Sequence, residues 1–243
     1  MIENYDNKVI NANCFEVMQN MIEEGVKVDA IITDPPYNMT ACEWDKQIDL
    51  NRFWKLANKI CKDDSNILIF SKQPFTTLVN YSNLRDFRYE IIWQKQQATN
   101  PMCAKKRIMP IHENISVFYK KLGTYNPQMR YGYDNYTSYA NNGKKIGEIY
   151  GLKSKHRECK DGSRYPISVV NYNNVRKGLH PTQKPIELIT YLLHTFTNEG
   201  DLVLDCFSGS GVVGKACQET RRRFICVERD KSYYEKSLDY LGA

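Results

Sequence analysis

The stretch Leu202–Gly214, LVLDCFSGSGVVG, decides the fold. Asp201–Cys206 reads as a strand buried on both faces, and Val212–Glu219 has the spacing of a helix. Between and into them run Gly209, Gly211 and Gly214 at G-x-G-x-x-G spacing, and Glu228 ends the following strand, Arg223–Val227. Glycines there let backbone approach a ligand at the strand's carboxyl end, and an acid closing the next strand accepts from ribose hydroxyls. The order strand, loop, helix, strand, acid points to a nucleoside-containing cofactor; the plainer alternative is a tight turn with a core-facing glycine. Asp205 narrows the choice. A carboxylate beside the loop repels a pyrophosphate and attracts a cationic amino group. S-adenosylmethionine carries an ammonium, a ribose and a sulfonium in place of phosphates, and it fits.

Outward from this unit the same rhythm continues. Strand-like runs at Lys8–Ala12, Val28–Thr33, Asn66–Phe70, Tyr89–Trp93 and Ile115–Tyr119 are interleaved with helical runs at Phe15–Glu24, Asn51–Cys61 and Pro74–Tyr81. After Pro185, which suits a helix's first turn, comes another helix, and a last one lies near Tyr233–Leu241. Such alternation predicts an α/β fold with a mostly parallel sheet and helices on both faces. The rhythm breaks between residues 123 and 178, a stretch rich in Tyr, Asn, Gly and Lys. A loop that long inside a compact domain is usually functional or disordered. The expectation is one domain over residues 1–243 with an insertion at 123–178.

A second stretch breaks the local rules. Val28–Thr33 runs into Asp34-Pro35-Pro36-Tyr37. Two prolines fix φ twice and remove two donors, leaving a stiff corner with a carboxylate, bare carbonyls and a ring. An exocyclic amine on a nucleobase is a poor nucleophile, because its lone pair is delocalised into the ring. Acceptors on both its N–H groups free that lone pair. Asp34 and the Pro35 carbonyl supply two acceptors and Tyr37 a stacking face, provided the base has left the duplex. As a bare strand-ending turn the corner is over-determined.

DPPY at Asp34–Tyr37, FxGxG at Phe207–Gly211 and HPTQKP at His180–Pro185 between them resemble the β class of DNA amino-methyltransferases. In that class the catalytic corner precedes the cofactor loop, a circularly permuted motif order, with the target-recognition region between. The resemblance implies a Rossmann-like S-adenosylmethionine-dependent fold: a seven-stranded, mostly parallel sheet with one antiparallel strand, the last. Strands ending at Asp34 and Asp205 would lie side by side at the switch point. Carried over, Asp34, Pro35, Pro36 and Tyr37 are catalytic; Asp205, Phe207, Gly209 and Gly211 form the cofactor loop; Glu228 binds the ribose. Thr182 and Lys184 close around the methionine end, and Asp34 also lies near the donor's amino group. Where the family commonly has an Asp for the adenine amine, this chain has Asn13-Cys14, whose amide oxygen still accepts with weaker binding. DPPY in place of SPPY favours adenine N6 over cytosine N4. An RNA or protein-glutamine methyltransferase would carry NPPY and the reverse order, and a DNA-binding module without activity would not need Asp34 and Glu228 intact.

Charge locates the DNA. Residues 120–177 hold twelve Lys/Arg against four Asp/Glu, whereas the rest holds twenty-two against twenty-four, so the excess behind the net +6 is local. This is the footprint expected for a polyanion, and its tyrosines suit unstacked bases or a small core of their own. Arg130, Lys144, Lys145, Lys153, Lys155 and Arg157 there, and Lys105, Lys106 and Arg107 in the loop after Trp93, are the candidate DNA contacts. The start, MIENYDNKVI, has no signal-peptide character and no run approaches a membrane span, so a cytoplasmic protein without a membrane partner is expected. Cys206, Cys217 and Cys226 read as core thiols of a reducing compartment. No paired CxxC supports the metal reading that His156, Cys159, Cys103 and His112 invite, and no metal is expected. By analogy alone, the resemblance adds a homodimer and a cognate restriction endonuclease.

Overall fold

Side-chain alternation along β2, Val28–Thr33, shows why this chain makes a covered sheet. Ile31 packs into the core on one face while Ala30 and Ile32 enter the core on the other, all fully buried. Successive side chains of a strand point to opposite faces, so apolar residues at every position demand a layer on each side. β9, Leu202–Asp205, and β10, Arg223–Glu228, divide their residues in the same way. One face is covered by α1 (Cys14–Glu23), α2 (Leu50–Ile60) and α3 (Phe75–Ser82) through Met18, Met21, Phe53, Trp54 and Phe75. The other is covered by α4 (Ile186–Phe196), α5 (Val212–Glu219) and α6 (Lys231–Leu241) through Leu188, Leu192, Val213, Cys217 and Leu241.

The computed structural model describes residues 5–38, 46–138, 157–175, 178–180 and 182–242, without the side chains of Ser138 and Arg157. Its remaining strands are β1 (Lys8–Asn11), β3 (Cys61–Ser71), β4 (Phe87–Gln94), β5 (His112–Phe118), β6 (Tyr136–Ser138), β7 (Arg157–Cys159) and β8 (Val169–Asn171). The main sheet has the order β1-β10-β9-β2-β3-β5-β4-β8. The seven strands expected are joined by a short eighth at the β4 edge, where Ile92, Trp93 and Gln94 pair with Val169, Val170 and Asn171. The antiparallel strand is β5, paired on both sides with β3 and β4. It is an inner strand, not the last, because the chain turns back after β4 and inserts beside β3. β2 and β9 are parallel neighbours, with Ala30 opposite Val203 and Ile31 opposite Leu204. The ends that carry Asp34 and Asp205 therefore lie side by side.

The chain divides into two units, Met1–Asn126 with Ser168–Ala243, and Pro127–Ile167. In the second, β6 and β7 pair antiparallel and Arg130 bridges Arg164 through backbone hydrogen bonds of 2.8 and 2.7 Å. The Arg164 guanidinium lies 4.5 Å from the Tyr136 ring centre and 5.4 Å from that of Tyr133, and Arg130 lies 5.1 Å from Tyr133. Cation–π contacts join these backbone hydrogen bonds in holding the described residues together. Cys206, Cys217 and Cys226 are buried free thiols. Among the described residues no helix is long and apolar enough to cross a membrane.

Candidate active site

The carboxyl ends of β2, β9 and β10 open on a cavity of about 820 Å³. Thr33 stitches the first two together: its Oγ1 donates to Asp205 Oδ1 at 2.8 Å and accepts the Cys206 N–H at 3.2 Å. The Phe207 N–H adds a second donor to Asp205 Oδ1 at 3.2 Å. Burial nevertheless pushes the Asp205 carboxyl up to about 7, with nearby Asp34 and Glu228 adding to the rise.

At the corner, Asp34 is held from both sides. The Tyr37 hydroxyl donates to Oδ1 and the Lys184 ammonium donates to Oδ2. Tyr37 stacks on Phe75 with ring centres 5.3 Å apart, which fixes its plane. Lys184 is buried, and its Nζ also lies 3.5 Å from Glu113 Oε2, whose other oxygen accepts from Lys95. Asp34, Lys184, Glu113 and Lys95 thus form one chain of alternating charge beneath the corner, with the neutral Tyr37 hydroxyl at its end. Burial pushes Asp34 up and Lys184 pulls it partly back, leaving it above the ordinary carboxylate range. Burial would also raise Glu113, but Lys184 and Lys95 outweigh it and hold it low. Burial opposes the Lys184 charge, and its two carboxylate partners overcome that and raise it.

The glycine loop is tied down by the acid that follows it. Glu228 Oε2 accepts the Gly209 N–H at 2.8 Å and Oε1 accepts the Asp230 N–H at 2.7 Å, leaving a lone pair on each oxygen. Burial raises Glu228, and these two donors offset part of the rise. A Cβ on Gly209, at φ +51°, would sit 3.5 Å from the His180 ring, so His180 lies directly over the loop. His180 Nδ1 accepts the Thr182 N–H at 3.2 Å, and its ring centre is 4.3 Å from that of Tyr233. Burial, with Lys184 and Lys236, depresses His180 to about 4, so the ring is neutral near pH 7. Ser208 Oγ is buried and has no hydrogen-bond partner among the described residues.

Of the residues singled out in the sequence, Asp34–Tyr37, Asn13, Cys14, Thr182, Lys184, Asp205, Phe207, Gly209 and Glu228 all line this cavity. Asn13 Oδ1 at the same time caps α1 by accepting the Phe15 N–H at 2.9 Å. Cys14 is a buried neutral thiol, pushed up to about 12 by burial. Gly211 does not line the cavity. It starts α5 at φ +78°, and a Cβ there would meet Ser237 of α6 at 3.0 Å. Lys105, Lys106 and Arg107 lie exposed between β4 and β5. Arg130 is engaged inside the second unit, donating to the Tyr165 carbonyl and the Tyr133 hydroxyl. Lys144, Lys145, Lys153 and Lys155 lie outside the described residues, as does the side chain of Arg157. Glu113 and Lys95 were not legible as site residues, because only strand pairing brings them to the corner; Thr33 adjoins the corner in sequence, but its bond to Asp205 depends on the pairing of β2 with β9.

The family profile described as DNA methylase matches residues 28–239. Among curated proteins, the chain is 27% identical over 263 residues to type II methyltransferase M1.MboII of Moraxella bovis, covering 95% of each. It is 26% identical over 251 residues to type II methyltransferase M.HpaI of Haemophilus parainfluenzae, covering 98% of this chain and 75% of that one. Among solved structures, the complex of M1.HpyAVI with S-adenosylmethionine superposes with a TM-score of 0.66 at 24% identity, covering 96% of this chain and 99% of that one. The cytosine-N4-specific PvuII DNA methyltransferase gives 0.64 at 15% identity, covering 95% and 84%.

Proposed function

The chain belongs to the N6/N4 DNA methylase family, and from that premise we propose that it methylates the exocyclic N6 of a flipped adenine in DNA, with S-adenosylmethionine as donor. The observation that carries this reading is the Asp34 corner on β2, locked by Tyr37 and Lys184 directly beside the Asp205 end of β9.

The cavity suits the donor. Its volume is in the range of small-molecule sites, its loop keeps the unpartnered Ser208 hydroxyl, and its acids face a ligand with an ammonium and ribose hydroxyls. Glu228 uses its remaining lone pairs on the ribose, Asp205 and Asp34 take the amino group, and Asn13 takes the adenine edge beside Cys14. Phe207 and Gly209 line the loop side, and Thr182 and Lys184 close the methionine side. When bound, S-adenosylmethionine supplies an electrophilic methyl carbon. The remaining work belongs to the chain. Asp34 and the Pro35 carbonyl accept from the two N–H groups of the target amine, and Pro36 offers no competing donor there. Tyr37 stacks on the base, and Asp34 takes the proton that the methylated nitrogen sheds. Lys184 opposes the burial that raises Asp34 and so favours its ionised form.

Adenine is favoured by Asp at the first position of DPPY. Cytosine N4 is the second reading, favoured by the likeness of the fold to an enzyme of that specificity. Incubation with tritiated donor and duplex DNA, followed by mass spectrometry of the nucleosides, tests both; N6-methyladenine is expected. The 123–178 segment is the target-recognition region in this reading. A cytoplasmic restriction–modification setting, a cognate endonuclease and a homodimer go with it, and sedimentation and the neighbouring genes test them.

A further inference from the structure

Between β4 and β5, residues 95–111 form an arm of which the chemistry above uses only Lys95, at its base. β4 runs parallel to β3 and β2, with β5 antiparallel, so the arm leaves the sheet at the same carboxyl end of the strands as Asp34. It is built, not slack. Lys95 N–H bonds to the Ile111 carbonyl at 2.7 Å and Thr99 N–H to that of Pro110 at 2.8 Å, while Lys72 Nζ holds Thr99 Oγ1 at 3.2 Å. A 3₁₀ turn at Pro101–Cys103 crowns this stem, and the Lys106 and Arg107 N–H groups bond to the Cys103 carbonyl.

On this crown Met102 and Ile108 are each 95% exposed. Single exposed apolar side chains are common, but two at the tip of a braced turn with three contiguous cations between them are not accounted for by folding. The arm contains Lys95, Lys105, Lys106 and Arg107 and no acid. Its charge therefore complements a polyanion, and unbranched or β-branched apolar side chains are the kind that wedge between base steps and kink a duplex.

We propose that this arm is a wedge for duplex DNA: Lys105, Lys106 and Arg107 grip phosphates while Met102 and Ile108 enter the stack beside the target base and hold open the space it vacates. The inference rests on the DNA methyltransferase reading and adds residues that make extrusion possible. Lys95 ties the arm to the corner, since its ammonium reaches Glu113 and through it Lys184 and Asp34.

The test is Met102→Ser/Ile108→Ser, made on exposed positions so that melting stays unchanged. Single-turnover transfer is measured on a duplex bearing the site found by sequencing methylated DNA, with the target either paired or opposite an abasic position. The wedge predicts at least a tenfold loss on the paired duplex and near wild-type rates where no partner base opposes extrusion. Equal losses on both duplexes, or no loss on either, overturn it. Sedimentation that shows the double variant monomeric and the parent dimeric overturns it too, by assigning the tips to a second copy. A parent protein inert on both duplexes sinks the methyltransferase reading and the wedge with it, a result distinct from a defect confined to the variant. Separately, Lys105→Gln/Lys106→Gln/Arg107→Gln should lower the log–log salt slope of binding by about 0.9 for each phosphate no longer gripped, and an unchanged slope counts against the phosphate grip.

Discussion

Lys184→Met tests whether the buried charge chain sets the protonation of Asp34. The substitution keeps an unbranched stem over Phe70, where the Lys184 Nζ now lies 5.2 Å from the ring centre, and removes the cation. Burial already raises Asp34, and Lys184 is the largest influence lowering it. Losing this nearby opposite charge leaves burial unopposed, so the alkaline-going rise of the single-turnover rate should move to higher pH. At a pH below the parent's own rise the loss should be at least roughly tenfold, shrinking as pH climbs, because the ionised carboxylate is the stronger acceptor and the form that can take the amine's proton. Glu113 would keep Lys95 but lose its second cation. Stranding a buried charge completely costs about 3–5 kcal/mol, so the stability loss should lie towards the low end. Lys184→Met/Glu113→Gln restores neutrality and should regain stability without restoring the rate profile. The assay is rapid-quench methyl transfer across pH with saturating donor and DNA. A profile that does not move in Lys184→Met would refute the coupling.

Three further outcomes follow from the same geometry. Glu228→Ala removes both a ribose acceptor and the anchor of the Gly209 N–H, so donor affinity by calorimetry should weaken by roughly 1.5–3 kcal/mol; unchanged affinity would leave the acid with a structural part only. Gly211→Ala forces a Cβ into a left-handed turn against Ser237, costing about 1–2 kcal/mol and lowering the melting temperature by several degrees, with the donor's site untouched. Asp205, at about 7, binds its proton more tightly folded than unfolded, so the stability of the ligand-free protein should fall as pH rises from 4 to 7. A cationic ligand needs the ionised form, so donor binding should tighten between pH 6 and 7.5, and Asp205→Asn should abolish both trends.

Much of this was legible in the chain. The apolar run of β2 and the strand, glycines and acid around Leu202–Glu228 fixed their own places, because burial on both faces and a positive φ leave few residues to choose from. β6, β7 and β8 were not legible; each has three residues, too few for alternation to register. Nor was the partner of Lys184. Glu113 sits in the polar first half of β5, HENISVF, ahead of the apolar run that reads as a strand, and only the antiparallel pairing of β5 with β4 and β3 brings it beneath Asp34. Sequence assigns Tyr37 a ring face alone, whereas its hydroxyl donates to Asp34, a bond between residues three apart that depends on how the two prolines turn the corner.

The central claim is that Asp34 is the acceptor that makes a base amine reactive. Single-turnover transfer to duplex DNA, compared between the parent and Asp34→Ala at saturating donor, tests it most directly. Removing one preorganised partner of developing charge costs on the order of 10²–10³ in rate, so the variant should fall at least that far while duplex binding is kept, and the parent's product should be N6-methyladenine. A parental rate in Asp34→Ala would reduce DPPY to a turn, and N4-methylcytosine as product would leave the clamp standing and contradict the choice of base.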